Sequence, residues 1–172
     1  MNARELQKAM MQDLEDLFRK DQFKTPDHRM ASPKAYEQWL PPRDAQTIDD
    51  PFPYIIVRLD SGGIEKATDP HRVAVILMIG IFDDGVRDNR EPAGEPDENG
   101  MDTRNHGNTA LLEIIERIQR HYEETPLLAN QFVYKVPFKW VLQDEDSYPY
   151  YFGAANLTFE LPPPTPKWSD LV

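Results

Sequence analysis

The sequence predicts an α+β fold, with a mixed or antiparallel sheet of about four to five strands packed against one main helix plus an N-terminal helix. Two segments carry apolar residues at helical spacing, and four others are rich in β-branched residues or alternate apolar with polar residues. The length of 172 residues suits a single domain, residues 1–172. Sixteen prolines place much of the chain outside regular elements.

Charge and composition limit the function before any motif is considered. Thirty acidic against nineteen basic residues give a net charge of -11, which opposes contact with nucleic-acid phosphates and anionic lipids. The chain has no cysteine, so a disulfide framework, a thiolate zinc site and a cysteine nucleophile are excluded. The N-terminus mixes charged with apolar residues, unlike a secretion signal, and the longest apolar run, 73–82, is far shorter than the roughly 20 residues of a membrane-spanning helix. We expect a soluble intracellular protein that does not enter membranes.

The N-terminal segment is predicted to be a helix over residues 3–20. Asn2 and Glu5 have the spacing of a capping box, in which each side chain bonds the backbone N–H of the other residue. The apolar residues of this segment recur at helical spacing and are Leu6, Met10, Leu14 and Leu17.

Residues 21–53 are predicted to form a proline-rich arm with at most one short strand, because prolines divide the segment into short pieces. Its aromatic residues Tyr36 and Trp39 favour docking over free disorder. The arm should therefore wrap over the core or lie along a neighbouring subunit, and both aromatic residues are candidate assembly contacts.

Residues 54–161 are predicted to hold the sheet and the main helix. Runs 54–59 and 72–82 are rich in β-branched residues and are separated by Ser61-Gly62-Gly63, which has turn chemistry, so they should pair antiparallel. Both faces of the second run are apolar, which predicts that it is the central strand.

The main helix is predicted to run to Tyr122, with Asn108 as its N-cap. Its apolar stripe should pack on the sheet and consists of Leu111, Ile115, Ile118 and Tyr122.

The C-terminal part is predicted to be a hairpin of strands 132–142 and 155–161, followed by an extended proline-rich tail, 162–172. Pro137 should lie at an edge or a bulge. In the first strand the predicted core-facing residues, which alternate with Lys135 and Lys139, are Phe132, Tyr134, Val136, Phe138, Trp140 and Leu142. The nearby aromatic residues could form a nucleic-acid stacking platform, but the turn beside them is acidic, so we interpret them as sheet core: Phe138, Trp140, Tyr148, Tyr150 and Tyr151.

Residues 83–107 are predicted to form a long acidic loop. Irregular loops of more than about 12–15 residues are usually functional or disordered, so this one calls for an explanation. We treat its acids, with Trp168 of the tail, as candidate assembly contacts: Asp83, Asp84, Asp88, Glu91, Glu95, Asp97, Glu98 and Asp102.

No catalytic, cofactor or metal site is predicted. The serines lack a nucleophile-elbow motif, and Gly62-Gly63 lacks the lysine and the helix of a phosphate-binding loop. The run 95–100 is similar to a calcium loop, but His106 stands where that loop has its bidentate glutamate. The four histidines lie in separate segments with no pair four residues apart.

The order of elements resembles that of the tail terminator proteins of long-tailed bacteriophages and prophages, also called tail completion or minor tail proteins. The residues that carry the resemblance are Asp50 to Val57 entering the first long strand, Val73 to Phe82, Asn108 to Tyr122, and Ala155 to Leu161. The resemblance implies a structural protein without enzymatic activity, whose homo-oligomeric ring, a hexamer, caps the tail tube.

The same resemblance implies the partners and the location. The ring would bind the tail tube protein and a head connector or completion protein, and DNA would pass through it without specific binding. The protein would occupy the host bacterial cytoplasm during assembly and then the virion tail. Three alternatives stay open: a head completion or tube protein, a small metal-dependent enzyme using Asp83, Asp84 and His106, and an acidic module that imitates DNA.

Overall fold

The computed structural model describes residues 2–42, 51–85 and 107–163. Two helices and a mixed six-stranded sheet confirm the α+β prediction, although the strands outnumber those predicted. Neither described helix is long and apolar enough to cross a membrane. The helices are α1 (Ala3–Leu17) and α2 (Gly107–Glu124), and the strands are β1 (Phe23–Lys24), β2 (Met30–Ala31), β3 (Lys34–Glu37), β4 (Tyr54–Gly63), β5 (His71–Phe82), β6 (Leu127–Leu128), β7 (Phe132–Leu142) and β8 (Tyr150–Leu161).

The order of strands in the sheet is β3-β4-β5-β8-β7-β6. β3 runs parallel to β4, and every other neighbouring pair in this sheet is antiparallel. β5 has a long partner on each side, which confirms the predicted central strand. β7 and β8 form the predicted hairpin, and β8 begins at Tyr150, earlier than the predicted residue 155.

Helix α1 begins with the predicted capping box. The Asn2 side chain accepts a hydrogen bond from the Glu5 N–H at 3.1 Å, and the Glu5 carboxylate accepts one from the Asn2 N–H at 3.0 Å. The helix ends at Leu17, before the predicted residue 20, because the C-cap residue Phe18 leaves helical geometry and buries its ring in the core. Helix α2 begins at Gly107, so Asn108 is its second residue and not its cap.

The arm holds three short strands, so the prediction of at most one was wrong. β1 and β2 pair only with each other, and β3 joins the sheet beside β4, with Tyr36 opposite Ile56. Prolines interrupt the arm without preventing pairing, because each short strand fits between them. The arm is docked on the core of its own chain.

The predicted turn at Ser61-Gly62-Gly63 is also wrong, because β4 continues through Gly63. The register shifts between Leu59 and Ser61, and this bulge lets the strand keep its pairing with β5. A Cβ at Gly62 would lie 3.2 Å from the Arg72 carbonyl oxygen, so this glycine serves close strand packing.

Apolar residues are buried on both faces of the sheet. The larger core lies between the sheet and the two helices, and includes Leu77 and Ile79 of β5 with Ile115 and Ile118 of α2. The smaller core, on the opposite face, consists of Phe52, Tyr54, Ile56 and Phe82, with Tyr36 and Leu40 of the arm packed against it. The arm therefore covers one end of the sheet face that the helices leave open.

A buried glutamine joins α1 to this arm. Gln7 keeps 4% of its surface exposed, and its Nε2 donates to the Val57 carbonyl at 2.7 Å and to Gln38 Oε1 at 2.8 Å. Gln38 Oε1 also accepts from the Leu59 N–H at 2.6 Å. One short network thus connects the helix, the end of β3 and β4.

We predict that Gln7→Ala lowers the free energy of unfolding by about 2 kcal/mol, because it removes one buried and one partly buried hydrogen bond and leaves a void. Urea denaturation measures the change. The matched control is Gln12→Ala, at an exposed position of the same helix, which should cost less than about 0.5 kcal/mol. Equal costs for the two variants would contradict the role of Gln7.

A histidine–carboxylate pair joins the two helices. His121 Nε2 lies 2.8 Å from Asp13 Oδ2, and this hydrogen bond is the main reason that the pKa of His121 is raised. Burial lowers that pKa, while the charges of Asp13 and Glu124 raise it. Because the folded-state pKa lies above the unfolded value of about 6.5, the pair stabilises the fold fully below pH ~6.5 and less as the pH rises through the folded pKa.

We therefore predict that the free energy of unfolding falls as the pH is raised from about 6 to about 9, and that His121→Gln removes most of this fall. Urea denaturation across that range tests it. The control is His28→Gln, whose side chain is 80% exposed and should leave the slope unchanged. An unaltered slope in the His121 variant would assign the pH dependence to other groups.

Candidate assembly surfaces

The structure describes only some of the predicted assembly residues. Asp83, Asp84, Tyr36 and Trp39 lie within the described residues. The others lie outside them, so their predicted role stays a prediction: Asp88, Glu91, Glu95, Asp97, Glu98, Asp102 and Trp168.

Asp83 is engaged within the subunit. Its Oδ1 lies 3.0 Å from Lys24 Nζ, and the two side chains are 14% and 16% exposed. The same oxygen accepts from the Gly85 N–H at 3.0 Å. Asp83 therefore ties the arm to the end of β5 and has little surface for a neighbouring subunit.

Asp84 is more open to a partner. Its side chain is 41% exposed, and its Oδ2 lies 3.8 Å from His28 Nδ1, which is itself mostly exposed. Ion pairs between exposed side chains contribute little stability. Of the two adjacent acids, Asp84 is the better candidate contact.

The two predicted aromatic contacts differ in exposure. Tyr36 is half-buried against the smaller core, and this burial, followed by the charge of Glu15, raises its pKa. Trp39 is 64% exposed, with the Arg58 guanidinium 4.9 Å from its ring centroid. Trp39 is thus an exposed aromatic surface held in place by an arginine.

The sheet face that the helices do not cover is basic. Among the paired positions of the strands, the register places five basic side chains and one acidic side chain on this face. Their formal charge is five minus one, or +4. The acid, Glu160, lies 3.1 Å from Arg72 and 3.3 Å from Lys135. We call this surface the basic face, and its charged residues are Lys34, Arg58, Arg72, Lys135, Lys139 and Glu160.

The helix layer on the other side is acidic. α1 and α2 together carry eight acidic and four basic residues, a formal charge of four minus eight, or -4. The acids include Asp16 of α1 with Glu113 and Glu116 of α2. The domain therefore presents broad surfaces of opposite charge on its two sides. The sequence alone does not reveal the basic face, because only the strand register brings basic residues of separate strands to one side of the sheet.

The outer part of β7 departs from its predicted burial. Phe132 and Tyr134 are buried as predicted, but Val136, Trp140 and Val141 are 74%, 46% and 58% exposed. The register shifts between Lys135 and Lys139, at the predicted Pro137 bulge, and beyond this bulge no described strand lies on the outer side of β7. The prediction that Val136 and Trp140 are buried in the core was therefore wrong, although the register of Trp140 with Ala155 places it on the helix side of the sheet. Of the other predicted core aromatics, Tyr151 is buried, Phe138 and Tyr150 are half-buried, and Tyr148 is 42% exposed.

A groove of about 440 Å³ lies between the β1–β2 hairpin and the aromatic residues Tyr36 and Phe52. Asp27 on its rim accepts hydrogen bonds from Thr25 and Arg29, which lower the pKa of its carboxyl in that order. The acid is thus kept ionised by its neighbours in the hairpin.

Within residues 2–42, 51–85 and 107–163, no three histidine or acidic side chains come close enough together to hold a metal ion. Of the three residues of the metal-enzyme alternative, Asp83 is bonded to Lys24, and His106 lies outside the described residues.

No model of a known protein family and no curated protein sequence matches the chain. The resemblance to tail terminators stays a prediction from the order of elements. The described geometry adds two oppositely charged faces and an exposed apolar strand edge.

We predict that Asp83→Ala lowers the free energy of unfolding by about 1.5–3 kcal/mol, because it leaves the mostly buried Lys24 ammonium without its partner. Asp84→Ala, at the neighbouring exposed position, is the matched control and should cost less than about 0.5 kcal/mol. Hydrogen exchange should also rise in residues 21–37 of the Asp83 variant alone. Equal effects of the two substitutions would contradict the anchoring role.

Proposed function

We propose that the chain is a structural virion-assembly protein, and specifically a phage tail terminator whose copies form a ring. The ring caps the tail tube and offers the head connector a surface on which to dock. The order of elements supports this proposal through its resemblance to that family, and the surface of the described residues supports self-assembly independently.

The observation that carries the proposal is the opposite charge of the two faces of the subunit. A closed ring needs two different surfaces on each copy that complement each other, because each copy meets one neighbour with each surface. The basic face, at +4, and the helix layer, at -4, meet that requirement. Complementary charge also speeds encounter and disfavours contact between like faces.

Apolar contacts add to this charge complementarity. Trp39 lies beside Arg58 of the basic face, and Val141 belongs to the same face by its register with Ala154. Tryptophan and arginine are the residue types that most often dominate binding energy at protein interfaces. A neighbouring helix layer would cover Trp39 and remove its exposed ring from water.

The overall charge suits a channel for DNA. Pairing the two faces between copies neutralises the basic residues of one copy with acids of the next, and the remaining surface keeps the negative charge of the chain. Phosphates are repelled by such a surface, so DNA passes without being held. In this proposal the acids of residues 83–107 contact the tube, a neighbour or the channel.

We predict that the purified protein, at high concentration and low salt, forms closed rings with a central hole in electron micrographs. Because the contact is largely electrostatic, the ring fraction in sedimentation velocity should fall as salt is raised from about 0.05 to about 0.5 M. Arg72→Glu, on the basic face, should weaken the rings at low salt.

The matched control is Arg120→Glu, which makes the same charge change on the helix layer and should leave the rings intact. Long tubes would favour the alternative of a tube protein. A protein that forms no assembly larger than a pair at any salt concentration would overturn the proposed function.

A further inference from the structure

The two lateral edges of the sheet differ in how many backbone groups they leave for another strand. At one end β3 is the outermost strand, and at the other β6 covers only the first residues of β7, pairing with Phe132 and Val133. Between residues 138 and 142, no described strand lies on the outer side of β7. An uncovered strand edge is a site for pairing with another chain.

The backbone groups of this uncovered edge point outward. The Gln143 N–H donates to the Phe152 carbonyl at 2.9 Å, so residue 143 forms a hydrogen-bonded pair with β8. Such pairs alternate along an antiparallel ladder, so Val141 also bonds toward β8, whereas Trp140 and Leu142 direct their N–H and C=O groups away from it.

The opposite edge is partly engaged within the chain. Lys34 and Gln38 donate their N–H groups toward β4, so Ala35 and Glu37 face outward. The outward Ala35 N–H donates to Glu15 Oε1 at 3.0 Å. The Glu37 carbonyl accepts from the Trp39 N–H at 2.7 Å. Two of the four outward groups of β3 are thus engaged within the chain, so the β7 edge is the better site for a partner strand.

The side chains along the β7 edge suit pairing with the same strand of a second copy. Val136, Trp140 and Val141 are exposed and apolar, which favours covering them. The exposed charges of the strand are Lys135 and Lys139, and the turn that follows β7 carries Asp144, Glu145 and Asp146. If two copies of this strand run antiparallel, the basic end of each meets the acidic turn of the other.

We propose that residues 138–142 of β7 pair with the same edge of a second copy, in an antiparallel two-fold arrangement centred on Trp140. This register brings the backbone groups of Trp140 in the two copies into one hydrogen-bonded pair. It also places Lys139 opposite Val141 of the second copy. A register centred on Lys139 would instead oppose two lysines, which is destabilising.

This pairing goes beyond the proposed ring, because it uses the backbone edge of β7, although the side chains of Lys139 and Val141 also belong to the basic face. A two-fold contact is complete once two copies have joined. The ring contact instead joins the basic face of each copy to the helix layer of the next. The two proposals can therefore fail separately.

The test is the dissociation constant of the pair, measured by sedimentation equilibrium on the full chain. An Arg72→Glu background weakens the face contact and so isolates the pair. Val141→Lys places a lysine opposite Lys139 of the second copy, and Val141→Glu places a glutamate there. Because the arrangement is two-fold, each substitution changes two such contacts. We expect the Val141→Lys pair to dissociate about tenfold more readily than the Val141→Glu pair. Ile64→Lys, at an exposed apolar position away from the edge, is the control and should match the parent.

Equal effects of the two Val141 substitutions, or a parent protein that is monomeric in the Arg72→Glu background, would overturn the two-fold pairing. Neither result would affect the proposed function if unsubstituted protein still forms rings. Conversely, pairs that respond to the charge at residue 141 in a protein without rings would uphold the edge contact while the ring proposal fails.

Discussion

The fold depends on one constraint, which is that the central strand is apolar on both of its faces. Leu77, Ile79 and Ile81 of β5 face the helices, while Met78 and Phe82 point to the other side. A strand of this kind must be covered on both faces to remove its side chains from water. The two helices cover one face of β5, and the arm covers only one end of the other.

Because the arm covers only one end of this second face, the rest of that face is an exposed surface of the protein. Where the arm packs, at Phe52 and Tyr54, the second face is aromatic and buried. Beyond the arm the same face carries small and charged residues, including Arg72 and Thr158, so it is compatible with water. A charged face beside a buried aromatic cluster is thus a consequence of how far the arm extends. The network of Gln7 and the pair of Lys24 with Asp83 hold the arm in that place.

The elements that the sequence predicts best are those governed by local pattern. The capping box at Asn2, the stripe of α2 and the burial of Leu157 and Phe159 follow from spacing alone, and each is found in the structure. Predictions failed where pairing with another strand determines the local structure. Ser61-Gly62-Gly63 has the composition of a turn, but pairing with β5 extends the strand through it. The arm has too many prolines to suggest strands, yet β3 is stabilised by β4.

The candidate surfaces were less predictable than the fold, for a physical reason. A basic face is assembled from residues of separate strands, such as Arg58 and Lys139, and their common side appears only when the register is known. The exposure of Trp140 does not follow from alternation either, because alternation reports which side of the sheet a residue faces and not whether other elements cover that residue. The acidic segment 83–107 was selected by its composition, yet Asp83 is engaged within the chain by Lys24.

Self-association through unlike faces is the central claim, and cross-linking between copies tests it most directly. A mixture of isotopically light and heavy subunits, joined by a reagent that links lysine directly to carboxylate, reports which faces meet. We predict links between copies from Lys135 and Lys139 to acids of the helix layer, such as Glu113 and Glu116. Links between copies that never join the basic face to the helix layer, in a sample that contains rings, would contradict the account.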